Sequence, residues 1–480
     1  MSKQPLSKSV YSSLTKYQKI IYDTLSKGEK TWTELHDEVA LSRARMPALM
    51  SKETFSKNLL ILEAKGLIER SVFPTRPPTT VYRVSKPTIS PKKRFLKIME
   101  DYSIVTMAPV CPVISGAHAV LYGASAMVLP LNAYICIGLS ETYGSGGNVE
   151  MDLEESTRGR MAEPSYTEME RVKRKTIETI CEILDINKQE LPNYRVRVAS
   201  DIDLSLGCGS SGALALANMM ALLASRTLQK IAKKNFITKV GQLPVRSEVY
   251  DLTKEGAFIL EQFIHGKESV PKHCAPYSSG ASVICSMEAN KGRLLNYKLV
   301  NWDKLKHNRE VIPKAEVKVV SKELSVPLIF VLGIPKSTAD ALRRRATMRD
   351  RLGEDLGSAF YEFWDWLTDR LEKVFSMLEK KQIDRKEAIE KVSQLLKIQN
   401  GLYRCLGLDN PDFTKLIEIT SRPSIGGSII GGGIGGACVF TSNDPDSLRS
   451  LIVSRHPDFQ ILESRFLQHP YPAQILKIKP

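Results

Sequence analysis

Apolar positions repeat with two different periods along this chain, and the change of period marks its organisation. Tyr17, Ile20, Ile21 and Leu25 recur at helical spacing, and Gly28 closes the run. The stretch 31–39, TWTELHDEV, predicts a short acidic helix with Thr31 or Thr33 as its cap. Ser51 opens a third helix, striped by Phe55, Leu59 and Leu62 and stopped by Gly66. Residues 67–72 and 80–84 alternate as two strands around a proline-rich tip at 73–79. Residues 85–94 hold two prolines and a basic run without an apolar stripe, so they read as a linker. Beyond them, short apolar strands alternate with amphipathic helices. The most apolar stretch, 119–139, contains Tyr122, Gly123, Pro130 and Asn132, which predicts a buried strand–turn–strand rather than a membrane span.

A chain of 480 residues is too long for one ordinary core, so two or three domains are expected. Its beginning is polar and shows no apolar leader, and a cytoplasmic location is expected. None of the eight cysteines lies within four residues of another, which excludes zinc-type CxxC spacing. They are also too sparse for a disulfide scaffold, and reduced, buried thiols are expected. The net charge is +15, and residues 1–94 carry 18 basic against 8 acidic side chains, so two thirds of the excess sits there. That asymmetry makes the first segment a candidate polyanion binder. Its order of three helices, strand, turn and strand resembles winged helix-turn-helix domains. The resemblance implies a third helix offering Lys52, Lys57 and Asn58 to the major groove, and a wing offering Arg70, Arg76 and Arg83. DNA binding through residues 1–85 is the expectation, with dimerisation or protein contact as the alternative use of such a domain.

Three glycine-rich segments carry the candidate chemistry: 108–123 (APVCPVISGAHAVLYG), 201–214 (DIDLSLGCGSSGAL) and 426–440 (GGSIIGGGIGGACVF). In the second, a strand ends, glycines permit a turn with positive φ, and an apolar helix begins. The backbone N–H groups of Gly207, Gly209, Ser210 and Ser211 can then point at phosphates, aided by the helix dipole. A serine hydroxyl there can also ligate Mg²⁺, which takes oxygen ligands.

These segments, with 258–269 (FILEQFIHG through Ser269) and 400–408 (NGLYRCLGL), occur in an order that resembles GHMP kinases, and "HAVLYG" is similar to the mevalonate kinase branch. The resemblance covers roughly residues 100–480. It implies an α+β, two-lobed GHMP kinase fold behind a small winged-helix domain. The implied organisation is a winged helix at 1–85, a linker at 86–97, and kinase lobes at 98–300 and 301–480. It further implies ATP held at Gly207, Gly209, Ser210, Ser211 and Gly212, and Mg²⁺ held at Ser210, Ser211 and Glu261. The acceptor pocket would be lined by His118, Lys267, Ser269, Lys272 and Gly433, with His118 and Lys272 as the catalytic pair.

The departures from the family pattern are informative. Cys111 stands where the family has a lysine, Ala117 where it has a glutamate, Lys272 where it has an aspartate, and Ile430 where it has a threonine. Asp203 and Cys208 replace a proline and a leucine in the second motif. Losing carboxylates and gaining a cation suits an acceptor that already carries a phosphate, since a carboxylate beside a phosphate costs about 1–4 kcal/mol at 4 Å. Lys267 and Lys272 could clamp that phosphate as point charges. Mevalonate-3-phosphate 5-kinases fit this description. The same losses also fit a degenerate kinase fold serving as a ligand-sensing transcriptional regulator. Two features remain: a basic run at 342–352, and Phe360, Phe363, Trp364 and Leu367 at helical spacing, which predict core or homodimer contacts.

Overall fold

The structure, a computed structural model, describes residues 14–27, 30–41, 52–64, 68–73, 79–84, 95–117, 119–153, 163–202, 204, 206–245, 247–264, 280–300, 314–333, 354–422, 424–431, 433–456, 459–462 and 467–478. The chain divides into two compact units. One comprises Met1–Arg94 with Asp446–Gln468, the other Phe95–Pro445 with His469–Pro480.

In the first unit, α1 (Lys16–Ser26) opens with a capping box in which Thr15 Oγ1 accepts from the Gln18 amide and the Gln18 side chain accepts from the Thr15 amide. Strand β1 (Lys30–Thr31) follows, then α2 (Trp32–Leu41). Of the two threonines, Thr31 is the cap: its hydroxyl accepts from the Glu34 amide, and the Glu34 carboxylate accepts from the Thr31 amide. Those hydrogen bonds hold Glu34 below the usual carboxylate range. Helix α3 (Lys52–Ala64) and strands β2 (Ile68–Phe73) and β3 (Thr79–Val84) complete the unit, with β3 between β1 and β2 in an antiparallel sheet. Ile21, Leu25, Leu35, Phe55, Leu59 and Leu62 form its core. One expectation fails here. Asn58 is buried and donates to the Thr54 carbonyl one turn earlier, so it is not offered outward. The side chains of Lys57, Arg70, Arg76 and Arg83 lie outside the description.

The second unit begins with α4 (Leu96–Asp101) and β4 (Ile104–Pro109), then β5 (Val113–Ser115), β6 (Ser125–Val128), β7 (Tyr134–Ser145) and β8 (Val149–Leu153). The apolar stretch 119–139 is thus a short 3₁₀ turn and buried strands, as its interrupted pattern required. There follow α5 (Glu163–Leu184), β9 (Pro192–Ser200), α6 (Ser210–Leu223), α7 (Arg226–Ile231), β10 (Gly241–Gln242), α8 (Glu248–Ile264) and α9 (Ala281–Met287). Strands β11 (Leu294–Leu299), β12 (Ala315–Ser321) and β13 (Leu328–Leu332) lead to α10 (Glu354–Glu379), α11 (Arg385–Cys405), α12 (Pro411–Thr420), β14 (Ile425–Ile429) and β15 (Ala437–Ser442). The strand Gln474–Ile478 enters a six-stranded sheet between β10 and β4, which continues β7, β9, β8. Among the described residues, only the β8–β9 pair of that sheet is parallel. A second sheet runs β12, β11, β6, β5, and a third carries β14, β15, β13 in that order.

Short strand β5 joins the two halves of this unit. The Val113 carbonyl accepts from the Gly431 amide at 3.1 Å, and the Ile114 carbonyl accepts from Gln399 Nε2 at 2.8 Å. Ser115 Oγ lies 2.9 Å from Thr368 Oγ1. Gln399 Nε2 also reaches Ser428 Oγ at 3.0 Å, so one buried amide of α11 binds both β5 and β14. Around this seam Trp364, Leu367 and Tyr403 are fully buried, with Trp364 edge-on to Tyr403. Phe363 faces outward.

Among the described residues the cysteines are free, and Cys111, Cys136, Cys208, Cys285 and Cys438 are buried. No described helix is long and apolar enough to cross a membrane. Burial pushes the Cys111 thiol from 9.0 to about 12, and raises Cys136, Cys285 and Cys438 as well. Below pH 9 both folded and unfolded chains keep these protons. Above it only the unfolded chain ionises, so stability is lost as pH rises toward 12. The expected loss is about 1.4 kcal/mol per pH unit for each such thiol. Urea midpoints at pH 8 and pH 10 measure it, and a Cys111→Ala chain should show a shallower decline.

Candidate functional site

The second glycine segment forms the turn that its sequence demands. Gly207 and Gly209 have φ of 71° and 76°, and Gly209 is the N-cap of α6 without a side chain to satisfy the first-turn amides. Every residue of α6 is buried except Ser211. Exposure alternates along the turn: Gly207, Gly209 and Ser211 are partly open, whereas Cys208, Ser210 and Gly212 are buried. The open end of an otherwise buried helix therefore presents backbone and one hydroxyl. That is the arrangement in which helix N–H groups and the dipole attract an anion.

Helix α8 brings Glu261 to the same place. It is 4 % exposed, and its Oε1 lies 3.4 Å from Ser211 Oγ. The pair offers two hard oxygen donors at the head of a helix. Among the described residues no cluster of three or more His, Cys, Asp or Glu forms. A divalent cation held here would take one carboxylate and one hydroxyl from this part of the chain, a small protein share that suits Mg²⁺.

The turn is held from two sides. A Cβ on Gly209 would lie 2.3 Å from the Cys111 carbonyl oxygen and 2.7 Å from Ser282 Oγ. Ser282, in the first turn of α9, donates to that carbonyl at 3.1 Å. Ser286, one turn on, places its hydroxyl 2.5 Å from the Pro109 carbonyl. This seryl clamp escaped the sequence reading. Its signal was there, two serines four apart on the short apolar helix ASVICSM, but no charge or glycine drew attention to it. The Cys111 side chain points into the core toward Ser286 Oγ, 3.4 Å away, and does not line the open edge.

The third glycine segment sits against the end of α11. Gly433 has φ of 75°, and a Cβ there would meet the Leu408 carbonyl oxygen at 2.5 Å. The Ile434 amide donates to that same carbonyl, and Tyr403 Oη donates to the Gly431 carbonyl at 2.7 Å. Ile430 is fully buried. Ser210, Ser211, Gly212 and Glu261 are thus brought together. His118, Lys267, Ser269 and Lys272, with the basic run at 342–352, lie outside the described residues.

No protein-family model matches the chain. No curated protein matches its sequence. Solved structures do match its fold. The L. major mevalonate kinase, crystallised with R-mevalonate, aligns with a TM-score of 0.50 at 15 % identity, over 79 % of this chain and 99 % of that one. A Listeria innocua protein aligns with a TM-score of 0.52 at 14 % identity, over 78 % and 99 %. At such identities the likeness is one of fold, and the fold is an α+β, two-lobed kinase fold.

Gly209→Ala tests the geometry of the turn. A non-glycine residue in the left-handed region costs about 1–3 kcal/mol before any clash, and here the Cys111 carbonyl must also move. The expected result is a lower melting temperature, followed by calorimetry.

Proposed function

We propose that this chain is an ATP-dependent phosphotransferase that moves the γ-phosphoryl of ATP onto the primary alcohol of a small, already phosphorylated acid. Mevalonate 3-phosphate, accepting at its 5-hydroxyl, is the substrate that best fits the sequence. The observation that carries the reading is the head of α6: a rigid turn whose open edge is Gly207, Gly209 and Ser211, with Glu261 beside it. In this reading the amides of Gly207, Gly209, Ser210, Ser211 and Gly212 hold the phosphates of ATP. Ser211 and Glu261, with Ser210 behind them, would hold Mg²⁺, which neutralises phosphate charge when bound.

On the acceptor side, Lys267 and Lys272 would meet the phosphate already present, and His118, Ser269 and Gly433 would line the pocket. Phosphoryl transfer rests mainly on positioning and charge neutralisation. The replacement of a carboxylate by Lys272 is therefore compatible with turnover, with Lys272 stabilising charge beside the acceptor hydroxyl. The buried Cys111 supplies no cation, so that duty falls to amides, metal and the two lysines.

A second reading has its own observation. The first unit has an independent core, and its segment is strongly basic. On this reading residues 1–85 bind DNA and the kinase fold senses a ligand.

ADP release from purified protein with ATP, Mg²⁺ and either mevalonate or mevalonate 3-phosphate separates the two. Turnover with the phosphorylated acceptor supports the kinase. No turnover with either, together with salt-sensitive binding to duplex DNA, supports the regulator. Given turnover, Ser211→Ala and Glu261→Gln should each lower kcat by roughly 100-fold, the scale of removing one preorganised electrostatic group. Unchanged turnover in both would remove the metal assignment.

A further inference from the structure

Helix α10 is packed on one side only. Tyr361, Trp364, Leu367 and Leu371 are buried, while the opposite stripe carries Phe363 and Trp366, each 41 % exposed. Their rings stack on each other with centroids 5.3 Å apart, and the Arg370 guanidinium lies 5.4 Å from the Trp366 ring centroid. Two adjacent, part-exposed aromatic rings on a charged helix make a sticky centre, and Trp and Arg are the side chains most enriched in interface hot spots. What occupies the stripe is indicated by its charges. Glu362 and Arg370 are exposed and stand four residues on either side of Trp366.

We propose that this face is covered by a second copy of the same chain, with the two α10 helices antiparallel and a two-fold axis passing at Trp366. In an isologous contact, a residue a given number of positions before the axis meets the partner's residue the same number after it. Glu362 of each copy then meets the partner's Arg370, twice, and the two Trp366–Phe363 stacks form the centre. The one near like charge is Asp369, which lies on the same flank as Glu362 and comes beside the partner's Glu362. Asp369 falls opposite the partner's Phe363, and its charge is already matched by Lys373 of its own helix at 2.7 Å. Among the described residues Glu362 has no ion-pair partner within its own chain, so the second copy supplies one. A heterologous partner or a lipid surface has no need of this symmetric placement of opposite charges. One helix pair buries less than a standard interface, so the dimer is expected to be reversible, with a dissociation constant on the order of micromolar.

Sedimentation of the full chain over a wide range of concentrations provides the test. A reversible monomer–dimer equilibrium is expected, weakened at least tenfold by Trp366→Glu. Glu362→Arg and Arg370→Glu should each weaken it, and the double exchange should bring it back to near the starting value. Circular dichroism melts confirm that each surface variant is folded. A chain that stays monomeric at 100 times the expected micromolar scale overturns the proposal. So does a dimer indifferent to Trp366→Glu, or a double exchange no tighter than either single variant.

Discussion

One close approach governs the candidate site: the Cys111 carbonyl seated against Gly209. Only a glycine leaves room for it, and only a left-handed φ turns the chain into α6 at that point. The carbonyl is fixed by Ser282, and the turn leading to it by Ser286, so the first and second glycine segments are parts of one rigid object. Gly212 continues the same packing, since a Cβ there would lie 2.7 Å from Ser282 Cβ and 3.2 Å from Glu261 Oε1. A binding loop made this way needs no ordering when an anion arrives, and preorganisation of this kind is what makes backbone amides effective electrostatic groups. Burial then makes the arrangement one-sided. Because α6 is enclosed along its length, the first-turn amides, which have no intrahelical partner, have a single outlet.

The same economy appears at the seam between the two halves of the kinase-like unit. Strand β5 has three residues, and each is tied to the C-terminal half by a buried or backbone hydrogen bond, through Gly431, Gln399 and Thr368. Buried hydrogen bonds contribute modest net stability but are costly to leave unmade. They therefore fix geometry more than they add energy. Movement of Gly431 relative to the first motif would have to break its N–H bond to the Val113 carbonyl, which holds these two points at a constant spacing.

Much of this was legible in the sequence, for identifiable reasons. Helical stripes such as Tyr17–Leu25 and Phe55–Leu62 announce buried faces whatever the tertiary context, and a threonine ahead of the acidic stretch announces the start of the second helix, whereas the Thr15–Gln18 capping box appears only in the structure. The 207–212 turn was legible because glycine in that pattern has few other uses. Other features were not. Asn58 reads as an exposed polar residue but turns back on its own helix, a local choice that asparagine often makes and that periodicity does not reveal. The Ser282–Ser286 clamp depends on contacts 171 and 177 residues away, which no local pattern encodes. Cys111 is a neutral side chain inside the first glycine-rich segment, and whether it faced the site or the core was decided by packing. The charge register of α10 is likewise written in the sequence, but it becomes meaningful only once Trp364 and Leu367 are known to point inward.

The strand Gln474–Ile478 has a consequence for how the molecule is made. It lies inside the largest sheet, between β10 and β4, although more than 350 residues separate it from β4 along the chain. Until Gln474–Ile478 is in place, β4 offers an open edge of hydrogen-bonding groups to whatever strand is near. Such distant pairings form late and slowly, and they expose nascent chains to misassembly. The large sheet is therefore complete only once Gln474–Ile478 has been made, and a chain lacking that strand is left with an unprotected β4 edge and a propensity to aggregate.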